Sequence, residues 1–160
     1  MQRQRLVLNI VLSLFILFPV MSWSPAAVVV APARAQDKTE KSLYERLGGY
    51  DAVAAFADEF IKRLAADKQL ARFLTGLSTD SKKKLRQHLV NQVCAATGGP
   101  CIYTGRDMKT VHTGLGINED DWAAGAKALT ETLDYLKVGK KEKDEVIAFV
   151  SGLKKDIVEK

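Results

Sequence analysis

Two histidines and two cysteines are the residues of this chain whose types and spacing could do specialised chemistry. His88 and His112 stand 24 positions apart, which fits no short zinc motif. There is no third histidine, and Asp and Glu do not cluster beside either one, which argues against a zinc centre or a facial triad. A lone histidine is ordinarily a surface or hydrogen-bonded core residue. Two on different helices, each beside an apolar face, admit ligation as well. A flat cofactor that takes axial nitrogen ligands from opposite sides suits such a pair better than a compact ion.

The elements that must position these residues begin after a leader. The first five residues include two arginines, residues 6–21 are almost unbroken in apolar character, and Ala33-Arg-Ala35 fits a small-x-small cleavage pattern. This three-part layout predicts a secretory signal peptide over residues 1–35 and an exported, periplasmic protein. The apolar run is short for a bilayer span, which takes about 20 residues. Residues 28–31 extend it, so an uncleaved anchor is the alternative; after cleavage no stable membrane insertion is expected. No cysteine follows the run, which argues against a lipoprotein.

Cleavage after Ala35 leaves 125 of the 160 residues, enough for one domain. It removes Arg3, Arg5 and Arg34 with no acids, so the net charge falls from +5 to +2. The remaining runs, Lys82-Lys83-Lys84 and Lys140-Lys141-Glu142-Lys143, are short and mixed with polar residues. They read as solvated helix faces rather than a nucleic-acid surface, because no basic stripe alternates with stacking aromatics. A monomer is expected.

Strand signals are nearly absent, and glycines punctuate a series of helices. After a polar lead-in (36–41), residues 42–47 form a short helix with Ser42 as N-cap and Glu45 three residues on. Gly48-Gly49 stops it. A long helix over 51–65 carries Val53, Phe56, Phe60, Ile61 and Leu64 at helical spacing, and residues 70–74 bring Phe73 over a linking turn. In the next helix, 80–96, Leu85, Leu89, Gln92, Val93 and Ala96 share one side while His88 lies on its flank. Gly98-Gly99-Pro100 ends it. A short helix over 106–113 carries His112, Asn118 caps a helix running to about 138, and 141–158 makes the last. This is an all-α domain over 42–160.

Cys94 and Cys101 flank Ala-Ala-Thr-Gly-Gly-Pro. An even cysteine count in an exported chain points to a disulfide. The turn could bring the Cα atoms within the roughly 7 Å that bridging requires, and such a loop contributes about 2–3 kcal/mol. Two reduced structural cysteines or a redox pair are the alternatives. Neither cysteine belongs to a Cys-x-x-Cys-His attachment run.

Residues 42–158 resemble the group I truncated haemoglobins. Leu43-Tyr-Glu-Arg-Leu-Gly-Gly49 is similar to that family's opening glycine motif and Gly98-Gly99-Pro100 to its second. The most specific part is Tyr103-Thr-Gly-Arg-Asp-Met108 followed by Val111-His112. The resemblance implies a two-over-two helical sandwich around haem b, with His112 as the proximal iron ligand and Met108 one turn earlier beneath the haem. It also implies apolar haem contacts from Phe73 or Leu74, Ile117 and Trp122, with Tyr103 and Arg106 near the propionates. A plain core role for Phe73 and Trp122 fits their spacing equally well.

The departures carry information too. Ile61 stands where most members place a tyrosine that donates to bound dioxygen, and Leu85 and Leu89 fill two further distal positions, the second often glutamine in relatives. Gln92 is one turn beyond His88. His88 itself aligns with a histidine that becomes the sixth iron ligand in some cyanobacterial and algal members; a flank histidine pointing to solvent is the plain alternative. The expected function is reversible binding of oxygen, nitric oxide or carbon monoxide, with His88 as competing ligand. The alternative is a bis-histidine redox or electron-transfer protein served by a redox partner. Nitric oxide detoxification or peroxidase-like turnover, and a helical domain that has lost haem, are further readings.

Overall fold

The computed structural model describes residues 40–160; the expected leader and most of the lead-in lie outside the described residues. Those residues form α1 (Leu43–Leu47), α2 (Gly49–Ala66), a 3-10 turn (Ala71–Phe73), α3 (Thr79–Ala96), α4 (Met108–His112), α5 (Glu119–Tyr135), α6 (Lys140–Gly152) and α7 (Lys154–Ile157). Among these described residues there is no strand, and none of their helices is long and apolar enough to cross a membrane.

Local chemistry sets most of the boundaries. Ser42 accepts from the Glu45 N–H at 3.2 Å while Glu45 accepts from the Ser42 N–H at 2.8 Å, a complete capping box. Gly48, at φ 105°, closes α1 and lets α2 start at once from Gly49, two residues earlier than the pattern predicts. Ser78 caps α3 by accepting from the Ser81 N–H at 3.1 Å. That helix ends as predicted, in a Schellman motif: the Gly99 N–H donates to the Cys94 carbonyl and the Gly98 N–H to Ala95, with Gly98 at φ 86°. A Cβ on Gly99 would come within 2.7 Å of the Cys94 sulfur and closer still to the Tyr44 ring.

Three predicted elements are shorter or broken. The helix of His112 begins at Met108 rather than at residue 106, because the Asp107 side chain accepts from the Thr110 N–H at 2.9 Å and is therefore its N-cap. Helix α5 stops at Tyr135, where Lys137 takes the left-handed conformation (φ 55°) and Val138 donates back to the Leu133 carbonyl. The expected last helix is interrupted at Leu153, after Gly152, a poor helix former. That interruption turns α7 onto α4.

Two apolar clusters hold the bundle. Val53 and Ala57 of α2 meet Val90 and Cys94 of α3. Phe56 of α2 meets Leu129 and Leu133 of α5 and Val146 of α6. Fully burying a side chain such as Leu133 contributes about 1.5–3 kcal/mol. The pairs α2–α3 and α5–α6 thus form two layers with α2 packed on α5. Cys94 and Cys101 are joined by a disulfide, their Cα atoms 5.7 Å apart, which ties the end of α3 to the segment leading into α4.

Candidate functional site

His112 is the last residue of α4 and is half-buried. Its Nδ1 lies 2.7 Å from the Met108 carbonyl oxygen. A carbonyl only accepts, so Nδ1 is the nitrogen that donates, and in the neutral ring Nε2 carries the lone pair. This backbone bond within α4 also restrains the ring, as the outer hydrogen bond of a metal-ligating histidine does. Among the described residues no three His, Cys, Asp or Glu side chains converge as a metal cluster.

The expected apolar contact residues share one property. Ile61 on α2, Phe73 and Leu74 on the 3-10 turn, Leu85 on α3, Met108 on α4 and Trp122 on α5 are all half-buried, and none belongs to either core cluster. Ile117 is buried but likewise outside both clusters, while Leu89 also touches the α2–α3 cluster. Helix α4 packs on α7, and neither α4 nor α5 packs extensively on α3. These partly buried apolar residues thus come from five elements and the loop before α5, and all but Leu89 lie outside the core clusters.

Helix α3 explains how one element can serve both purposes. Val90 and Cys94 are its buried residues and face α2, whereas Leu85, Leu89 and Gln92 lie on an adjacent, half-buried side. Of the predicted apolar side, Leu89 and Val93 pack against the core clusters, Leu85 is half-buried outside them, and Ala96 is exposed. His88 is exposed at its rim, with its ring edge-on to Tyr103 at 6.1 Å between centroids. The Tyr103 hydroxyl donates to the Arg106 carbonyl at 2.7 Å. Burial raises the Tyr103 pKa and nearby Asp107 adds to this, against an opposing effect of Arg106. Arg106 is exposed at the start of the turn into α4.

Two supports are not apparent from the histidine pattern. Asp121, buried in the first turn of α5, accepts from the Gln69 amide at 2.8 Å and the Arg72 guanidinium at 2.7 Å. It thereby fixes the turn of Phe73 against the helix of Trp122, and Arg72 also lies over the Phe73 ring at 4.4 Å. The only hint in the sequence is the spacing Asn118-x-x-Asp121, a capping box that the structure completes. Glu159, next to the last residue, binds the loop after His112, and no local pattern marks it.

The profile of the bacterial-like globin family matches residues 42–159. The group 1 truncated haemoglobin GlbN of Mycolicibacterium paratuberculosis is 33% identical over 125 residues, covering 78% of this chain and 90% of the relative. GlbN of a Nostoc species is 34% identical, covering 74% and 98%. Among solved structures, the 2/2 haemoglobin of a Synechococcus species, in its cyanomet state with covalently attached haem, superposes with a TM-score of 0.68 at 30% identity, covering 74% of this chain and 98% of that one. The ferric truncated haemoglobin of Tetrahymena pyriformis gives 0.68 at 27% identity, covering 75% and 100%. The all-helical order agrees with these likenesses, and the chain belongs to the bacterial-like globin family as a group 1 truncated haemoglobin, a ligand-binding globin whose cofactor is haem.

Proposed function

We propose that His112 is the proximal ligand of the haem iron and that the protein reversibly binds a diatomic gas on the opposite side, where His88 competes. The observation that carries the assignment is the 2.7 Å contact from Nδ1 to the Met108 carbonyl, which leaves Nε2 as the nitrogen that can ligate. When bound, haem would supply an iron able to take a protein nitrogen and, reversibly, oxygen, nitric oxide or carbon monoxide. Phe73, Leu74, Met108, Ile117 and Trp122 would hold the macrocycle by apolar contact, with Tyr103 and Arg106 toward its propionates.

The distal side sets the ligand preference. Ile61, Leu85 and Leu89 present no hydrogen-bond donor, and a lost donor to a partly charged ligand weakens binding by about 1–3 kcal/mol, roughly 10- to 100-fold. This favours weak retention of oxygen. On α3, His88 is exposed and Gln92 half-buried, and both are polar. If His88 ligates at rest, an external ligand binds only the open fraction, and its apparent affinity falls in proportion.

The ultraviolet–visible spectrum of the purified protein, ferric and dithionite-reduced, before and after carbon monoxide, tests both assignments. His112→Ala should lose the wild-type spectrum and much of the haem. His88→Ala should convert a low-spin spectrum to a high-spin one and speed carbon monoxide entry. An unchanged spectrum in His88→Ala would leave that residue a surface histidine. Split low-spin bands in both oxidation states with very slow carbon monoxide entry would instead favour the bis-histidine redox reading, for which the apolar distal face is the motivating observation.

We also place the mature protein outside the cytoplasm, as a monomer. The Cys94–Cys101 bond supports an oxidising compartment. Cell fractionation with N-terminal sequencing should find periplasmic protein beginning at Gln36; a full-length membrane-bound chain would indicate an anchor.

A further inference from the structure

We propose that Glu159 is a positioning residue for His112, a C-terminal latch that fixes where the proximal helix ends. This rests on the reading of His112 as iron ligand. Two residues after His112, the Gly114 N–H donates to one carboxylate oxygen of Glu159 at 2.5 Å, and the Gly116 N–H donates to the other at 2.6 Å. The Glu159 N–H in turn donates to the Ile117 carbonyl at 2.8 Å. One residue at the end of the chain therefore grips three points of the loop between α4 and α5. Hydrogen bonds to an ionised carboxylate are stronger than those between neutral groups, and here both oxygens are engaged.

The loop is built for this grip. Gly114 and Gly116 sit at φ 87° and 66°, where L residues are strained, while a Cβ on Gly114 would meet nothing within 4 Å. Glycine is thus needed at Gly114 for backbone direction rather than for space. The same glycines make the loop soft, because they leave it few intrinsic restraints. Helix α7 packs on α4 and delivers Glu159 to it. Without the carboxylate, the orientation of the His112 ring rests on local bonds within and beside α4, the Asp107 cap, the Nδ1–Met108 carbonyl contact and the Thr113 bonds to the Lys109 carbonyl, and on that packing.

The test uses haem-loaded protein carrying His88→Ala, so that ferrous iron is five-coordinate whichever distal reading holds. In that background Glu159→Ala, Glu159→Gln and His112→Ala are compared by the iron–histidine stretching band in resonance Raman and by haem transfer to excess apomyoglobin. Hydrogen exchange of residues 112–117 is followed alongside. The latch predicts a shifted or broadened band, faster exchange, and haem loss about 3- to 10-fold faster in Glu159→Ala. Glu159→Gln, which keeps one acceptor oxygen, should be intermediate. An unchanged band and unchanged haem loss in Glu159→Ala would overturn the latch while leaving His112 as ligand. Persistence of the parent band in His112→Ala would overturn the ligand reading, and the latch with it.

Discussion

Asp121 is 2% exposed and accepts from the Gln69 amide, the Arg72 guanidinium and the Asn118 N–H. Burial opposes its ionisation, but the Asn118 N–H, the Gln69 amide and Arg72 together outweigh that and hold the carboxyl below its usual range. A carboxylate with a lowered folded pKa contributes stability that is present above its unfolded value, about 3.9, and is lost as pH falls through the folded value. Asp121→Ala should therefore cost about 2–3 kcal/mol at neutral pH, from buried donors left without an acceptor. In thermal unfolding followed from pH 7 to pH 2, the difference between Asp121→Ala and wild type should shrink only below about pH 4. A difference constant across that range would mean that the charge of Asp121 contributes nothing. Lys137 is a second informative residue. It is the one described non-glycine residue at positive φ, and it occupies the position where Schellman motifs prefer glycine. Lys137→Gly should stabilise by about 1 kcal/mol, read as a higher unfolding midpoint with an unchanged haem spectrum.

At the scale of elements, α4 is the critical one, because a helix of five residues cannot stand on its own hydrogen bonds. Its N-terminus depends on Asp107, whose carboxyl is held below the ordinary range by the Thr110 hydroxyl first and the Thr110 N–H second. Its C-terminus depends on α7 and Glu159. Asp107→Ala should fray α4 and accelerate haem loss while leaving the helix content of the bundle nearly unchanged, as measured by haem transfer and circular dichroism in parallel. Equal haem retention in the two proteins would show that the cap is dispensable. Where an N-capping side chain marked a helix start, as at Ser42 and Asn118, the sequence was legible at this scale. The stops at Tyr135 and Leu153 were not, because one depends on a lysine in a glycine's conformation and the other on where α7 must pack.

For the whole molecule, the Cys94–Cys101 bond closes the corner between the His88 and His112 helices. Denatured, unreduced protein should show no free thiol. Reduction should cost about 2–3 kcal/mol, as expected for so short a closed loop, and lower the unfolding midpoint. Two titratable thiols in the unreduced sample would exclude the bond. Sequence alone determined the helical class, the glycine corners, the candidate histidines and the cysteine pair, since caps, turns and apolar periodicity act over a few residues. Tertiary structure decided which side of α3 is fully buried, that of Val90 and Cys94, and which stays half-buried, that of Leu85 and Gln92. The two sides are neighbours on one helix, and only packing against α2 distinguishes them. It also decided the burial of Asp121 beside the Phe73 turn and the contact of Glu159 with a loop 43–45 residues away. Contacts that distant in the chain leave no periodic trace, because their partners are brought together by the fold rather than by spacing.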